Sequence, residues 1–323
     1  MSAYPRLLGD IGGTHVRLAL QSEAGGPITC IRTLALAAHA DLEAAIRAYL
    51  AAEDAAARGL WPQTACLGVA APVLGDRIQM INAPWSFSNE GLRQSLGLQQ
   101  LRCLNDFTVL ALALPALPDS DLRQIGGGAV QPRMTKALLG AGTGLGVSGL
   151  LPTPDGGWVP VAGEGGHVSL PSANEAEDRL IQALRARFGH VSAERVMSGS
   201  GLVLLYETHA ALAGRAAASL TPAEVTQRGL AGSCPLCRAA LHNFCEWFGA
   251  ISANLAVTLG AQGGLYIGGG IVPKLGDFFE QSGFRRRFDD KGRYSAYLGA
   301  IPVFVIHSDY PALLGASLAR LDV

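Results

Sequence analysis

Apolar positions near the start of the chain come in short runs broken by glycine. Leu7-Leu8 leads through Gly9-Asp10 to Ile11-Gly12-Gly13-Thr14, and a second run, Val16 to Leu20, follows with Arg17 inside it. Apolar runs flanking a glycine pair predict two strands joined as a hairpin. A third strand is expected at Thr29–Leu36. Asp41 then opens a stretch rich in Ala, Leu and Glu, Leu42 to Ala57, which predicts a helix with an acidic cap. Thr64 to Ala71 predicts a largely apolar strand bounded by Pro72, and Leu101–Leu104 a short one. Asn105-Asp106 leads from there into an apolar helix, Phe107 to about Leu114.

The opening pattern returns about 130 residues later. Ala137-Leu138-Leu139 runs into Gly140-Ala141-Gly142-Thr143-Gly144-Leu145-Gly146, and Val147 to Leu151 follows. Strand, glycine-rich turn with a Thr, strand: this is a weak internal repeat at the scale of a domain, and Pro115–Pro118 falls between the copies as a boundary. A third cluster, Gly268-Gly269-Gly270, ends the strand Leu265–Ile267 and leads into Ile271-Val272-Pro273. Phe248 to Val272 carries no charge for 25 residues, a length that spans a bilayer. Its seven glycines, with Ser252, Asn254, Thr258 and Gln262, favour a buried helix followed by a strand. Arg285–Arg293, dense in both signs of charge, is expected to be a solvated loop or helix end.

Composition narrows the class. A chain of 323 residues has room for two domains, and 49% hydrophobic against 16% charged residues excludes a disordered one. With 25 Lys+Arg against 26 Asp+Glu there is no basic field for nucleic acid. No apolar stretch of signal-peptide length precedes Asp10. The six scattered cysteines suit reduced thiols in a cytoplasmic enzyme. Cys234 and Cys237, with His242 and Cys245 nearby, do not form two cleanly spaced ligand pairs for zinc.

The candidate chemistry sits in the glycine turns and a few carboxylates. The register Gly144-Leu145-Gly146-Val147-Ser148-Gly149 fits a dinucleotide fingerprint, but such a fingerprint opens a helix, and here Leu150-Leu151-Pro152 follows. None of the three lysines follows a glycine, so there is no Walker A motif. What remains is either a structural turn or a hairpin whose bare N–H groups cradle phosphate. Asp10 is a turn residue or a holder of phosphate-bound Mg²⁺, directly or through water. Asn105-Asp106 is a helix cap, or places a general base at a strand's C-terminal end. Glu164-Gly165-Gly166-His167 has too many glycines for a helical metal pair, and is either an ordinary turn or a carboxylate and imidazole for sugar hydroxyls. Glu194 by itself reads as a surface helical residue.

The order of these motifs is more telling than any one of them. Asp10-Ile11-Gly12-Gly13-Thr14…Arg17, Leu104-Asn105-Asp106-Phe107, Gly140–Gly146, Gly163-Glu164-Gly165-Gly166-His167, His190–Arg195 and Gly268–Pro273 together resemble the bacterial glucokinases, from Asp10 to Pro311-Ala312-Leu313-Leu314-Gly315. The resemblance implies an α/β, two-domain actin-like ATPase (ribonuclease H-like) fold with an interdomain cleft. The smaller domain would span 1–115 plus about 305–323, and the larger 116–304. The implied activity is a cytoplasmic, glycolytic phosphotransferase that makes glucose 6-phosphate from glucose and ATP with Mg²⁺. Asp10, Gly12, Gly13, Thr14, Gly142, Thr143 and Gly144 would hold phosphates, with Asp10 toward the metal. Gly268, Gly269 and Gly270 would border the adenosine. Asn105, Asp106, Glu164, His167 and Glu194 would surround glucose, with Asp106 as general base. The family further implies a homodimer, and no nucleic-acid or membrane partner. Val168-Ser169-Leu170-Pro171 after His167 departs from the cysteine-rich zinc motif of the related regulator-and-kinase group, so that zinc is expected to be absent. A sugar-responsive transcription factor on the same scaffold would need a DNA-binding module before Leu7. A nicotinamide oxidoreductase would need a strand–glycine–helix unit.

Overall fold

A computed structural model of the chain describes residues 4–81 and 83–321. Residues 1–3 and 322–323, which the domain bounds expected from the sequence include, lie outside the described residues. The chain divides into two compact units. The first is Met1–Pro118, Trp158–Ala162 and Ser308–Val323, and the second is Asp119–Gly157 and Gly163–His307.

In the first unit, β1 (Arg6–Ile11), β2 (His15–Gln21), β3 (Ile28–Ala35), β4 (Thr64–Val69) and, after the small hairpin β5 (Arg77–Gln79) and β6 (Ser86–Ser88), β7 (Gln100–Asn105) make up the strands. The main sheet runs β3-β2-β1-β4-β7. β1 and β2 form the expected antiparallel hairpin, whereas β1, β4 and β7 are parallel. β4 is buried along its whole length, as a parallel strand covered on both faces should be. Helix α1 (Leu42–Ala52) buries Leu42, Ala45, Ile46, Tyr49 and Leu50 as one stripe, and Asp41 caps it by accepting from the Ala44 amide at 2.8 Å. It stops short of Ala57 because Asp54 takes a left-handed conformation, φ 51°.

Two more helices, α2 (Asn89–Ser95) and α3 (Asp106–Ala113), flank β7. The C-terminal helix Pro311–Leu318 packs on α3 so closely that a Cβ on Gly315 would collide with the Val109 carbonyl. Buried Arg6 donates to the carbonyls of Ser317 and Ala319, each at 3.1 Å, and satisfies the end of that helix. The chain's last helix therefore steadies the helix that begins at Asp106.

The second unit repeats the motif. β8 (Leu122–Gln124), β9 (Lys136–Ala141) and β10 (Leu145–Pro152) precede β11 (Trp158–Val161, grouped with the first unit), and β12 (Leu265–Gly268) and β13 (Val303–Ile306) follow. Its strands are ordered β10-β9-β12-β13-β8. β9 and β10 are antiparallel across the glycine turn, and β9, β12 and β13 are parallel. The arrangement β10-β9-β12 reproduces β2-β1-β4, which is the physical content of the sequence repeat.

Helices α4 (Glu175–Phe188), α5 (Ala193–Val196), α6 (Gly199–Leu212), α7 (Pro222–Leu230) and α8 (Pro235–Leu259) follow the glycine-rich loop at Glu164. Cys234 caps α8, its Sγ accepting from the Cys237 amide at 3.4 Å, and among the described residues no group of three His, Cys, Asp or Glu is placed to hold a metal. No described helix is long and apolar enough to cross a membrane. α8 packs Phe244, Trp247 and Phe248 against Phe279, Phe284 and Phe288. The Arg285–Arg293 segment is not merely solvated. Arg287 is buried against Glu177 at 3.3 Å, and Arg285 donates to the carbonyls of Leu298, Gly299 and Ile301 at 3.1 Å each. Arg287 tolerates its burial through the opposite charge of Glu177, and Arg285 through the carbonyls that take its donors.

Candidate functional site

In the first unit the motifs gather at one end of the sheet. Ile11 pairs with Val69 and Val69 with Asn105, so β1, β4 and β7 finish level, where ligands of open α/β sheets bind. Asp10 lies opposite Arg17 in the hairpin register, and its Oδ2 accepts from Arg17 Nη1 at 2.8 Å. Gly12 closes the turn by donating to the His15 carbonyl at 2.9 Å, Gly13 is half-buried and Thr14 is exposed. Asn105 is the cap of α3, its Oδ1 accepting from Phe107 at 2.9 Å and Thr108 at 3.2 Å. Asp106 is the first residue of that helix, half-buried, with Oδ1 2.9 Å from the Phe107 amide. The helix N-terminus favours its negative charge.

In the second unit the remaining motifs meet around Leu145. Gly142 donates to the Gly144 carbonyl at 2.8 Å, which closes the second glycine turn. The Leu145 amide donates to Glu194 Oε2 at 2.9 Å. Glu194 is thus half-buried against the hairpin instead of facing solvent from α5, as its local sequence predicts. Gly166 backs onto the same residue, with no room for a Cβ beside the Leu145 carbonyl, and a Cβ on Gly165 would press on Val147. That close approach is why the loop needs two glycines, and it leaves Glu164 and His167 exposed on either side. Gly268 packs backbone to backbone on Gly140, Gly269 has φ 77°, and Ile271 donates to Ala141 at 3.2 Å. The third glycine cluster is therefore laced to the second.

A pocket of about 700 Å³ opens beside this junction, lined by Gly142 and Thr143 of the hairpin, Gly270, and Thr221, Gln227 and Lys274. Gly199, at the start of α6, also lines it and ties its amide to the Gly142 carbonyl at 2.9 Å. Thr221 is occupied by its capping box with Glu224, and Thr226 bonds the Pro222 carbonyl at 2.9 Å. Among the described residues no hydrogen bond or ion pair engages the side chains of Gln227 and Lys274, so both are available to a ligand. Lys274 directly follows the Gly268–Pro273 motif, and a rare lysine just past a glycine triplet is the signal in the sequence that points to it. Thr221-Pro222-Ala223-Glu224 was legible as a helix start but carried no hint of a pocket wall.

The glucokinase family model matches residues 7–322 of this chain. A glucokinase from Aromatoleum aromaticum is 54% identical over 317 residues, covering 98% of this chain and 94% of that protein. One from Chromobacterium violaceum is 55% identical over 320 residues, covering 99% and 90%. Among solved structures, the glucokinase from an Antarctic psychrotroph superposes with a TM-score of 0.87 at 34% identity, covering 98% of both chains. With the match running from β1 through the C-terminal helix, the chain belongs to the glucokinase family.

Proposed function

We propose that this protein transfers the γ-phosphoryl group of ATP to the 6-hydroxyl of glucose, giving glucose 6-phosphate and ADP. The observation that carries the donor side is the pocket in which Gly142, Thr143 and Gly270 come together from separate motifs. The name shared by its relatives carries the sugar. Of the turn's amides, Gly142 and Leu145 are already bonded within the protein, which leaves Thr143 and Gly144 to donate to phosphate oxygens. Lys274 supplies the pocket's positive charge. Asp10 is the kind of single carboxylate that, with phosphate oxygens and water, suits Mg²⁺, and the ion when bound offsets charge on the β- and γ-phosphates.

Glu164, His167 and Glu194 accept and donate to sugar hydroxyls, joined by Asn105 and Asp106. Asp106 takes the proton of the 6-hydroxyl as that oxygen bonds to the γ-phosphorus and the bond to the β-phosphate oxygen breaks. Homodimerisation and a cytoplasmic location belong to the same reading, and sedimentation velocity checks the first. The direct test of the activity is a glucose 6-phosphate dehydrogenase-coupled assay with ATP, Mg²⁺ and glucose. Product is expected and should vanish on chelation; turnover of ATP without glucose 6-phosphate would reject the reading.

A further inference from the structure

We infer that Glu194 is a positioning residue for the phosphate donor: its carboxylate holds the first amide of β10 and so sets where Thr143 and Gly144 present their N–H groups. The inference rests on the reading of the glycine hairpin as the donor site, and adds a function on that side to a residue otherwise assigned to the sugar.

Four observations carry it. Leu145 and Ala141 are a non-hydrogen-bonded pair at the turn end of the β9–β10 ladder, flanked by the Gly142 to Gly144 bond. The Leu145 amide therefore points outward, where Glu194 Oε2 accepts it at 2.9 Å, and the Ala141 carbonyl takes the Ile271 amide. The backbone bond closes the turn, and the carboxylate takes the outward-facing amide that directly follows it. Gly144 is the residue the carboxylate lies over, and a Cβ there would stand 2.5 Å from Oε2. Glu194 itself is fixed, because Ser192 caps α5, the Ala193 amide bonds the Val168 carbonyl at 2.8 Å, and Ala193 and Val196 are fully buried. Finally, Gly166 of the Glu164–His167 loop abuts the carbonyl of the same Leu145. Both polar groups of one peptide residue are thus set by elements assigned to the sugar, while the turn beside it faces the nucleotide. A preorganised donor pair loses less freedom on binding than a mobile turn.

The carboxylate's charge works against a phosphate, so two substitutions separate geometry from electrostatics. Glu194→Gln keeps an acceptor oxygen and removes the charge, whereas Glu194→Ala removes both. The measurement is calorimetric binding of a non-hydrolysable ATP analogue with Mg²⁺ in the absence of sugar, alongside thermal melts. Positioning predicts that Glu194→Ala binds the analogue about tenfold more weakly, the scale of one charge-assisted hydrogen bond, and that Glu194→Gln binds as well as the unsubstituted protein or better. Gly144→Ala, which displaces the carboxylate from the opposite side, should lose affinity as Glu194→Ala does and serves if the latter does not fold. Equal binding by all the variants would overturn the inference alone, as would tighter binding by both Glu194 variants. No binding by the unsubstituted protein would overturn the donor-site reading and this inference with it.

Discussion

Replacing Gly142 by Val should abolish nucleotide binding while leaving the protein folded. The Cβ position of Gly142 has no atom within 4 Å, and its φ lies outside the left-handed region, so the backbone accepts a side chain there without strain. The new isopropyl group would stand at the wall of the pocket that Gly142 and Thr143 line, and should keep phosphate from the amides of Thr143 and Gly144. Losing two hydrogen bonds to a charged phosphate costs about 1.5–3 kcal/mol each. The combined loss is about 3–6 kcal/mol, or roughly 10²–10⁴-fold in Kd. Away from packing interfaces a substitution changes stability by less than about 0.5 kcal/mol, so the melting temperature should barely move. Calorimetry with an ATP analogue, calorimetry with glucose and a thermal melt on the same preparation give the three quantities. Neighbouring glycines supply contrasts. Gly140→Val would drive a Cβ into the backbone of Gly268, and both the fold and nucleotide binding should suffer. An unchanged nucleotide Kd in folded Gly142→Val would refute the phosphate cradle.

Other expectations follow from single contacts. Lys274→Ala should raise the KM for ATP by about three- to tenfold with the KM for glucose unchanged, read from initial rates; equal changes in both would remove its donor role. Gly315→Val should lower the melting temperature by several degrees, since overpacking costs about 1–3 kcal/mol and the collision is with the Val109 backbone. Burial holds the Lys136 ammonium down to about 8, below its ordinary value, where Nζ donates to the Gly263 carbonyl and Tyr266 hydroxyl. Between pH about 8 and 10.5 the unfolded chain then binds more protons at this group, so its contribution to stability rises with pH. Urea midpoints of the unsubstituted protein relative to Lys136→Met should climb across that window, and parallel curves would contradict this. A thiol reagent should label half-exposed Cys30 and Cys234 in the native state, and Cys66, Cys103, Cys237 and Cys245 only on unfolding.

What the sequence made legible was local. A glycine pair between apolar runs located the first hairpin and a glycine-rich turn the second, and Asn105-Asp106 before an apolar segment offered the α3 cap, because turn geometry and capping act over a few residues. The role of Glu194 was hidden because its partner amide, Leu145, lies 49 residues away, and a carboxylate on a short helix looks the same whether it meets water or a buried N–H. The charged run at Arg285–Arg293 misled for a related reason: carbonyls from Leu298, Gly299 and Ile301 take up Arg285, and only the folded chain assembles them. Gly142 and Gly144 likewise carry the same argument in sequence. The structure separates them, one facing open space and the other facing Glu194.

The central claim, that Asp106 takes the proton from a glucose hydroxyl as the phosphoryl group moves, is tested most directly by rapid-quench single turnovers of Asp106→Asn. With ATP, Mg²⁺ and saturating glucose, the unsubstituted protein should form glucose 6-phosphate in the first turnover. The variant, nearly the same shape, should bind glucose with similar affinity yet transfer the phosphoryl group about 10²–10⁴-fold more slowly. A transfer rate unchanged by the substitution, with only glucose affinity reduced, would contradict the account and leave Asp106 as a binding residue.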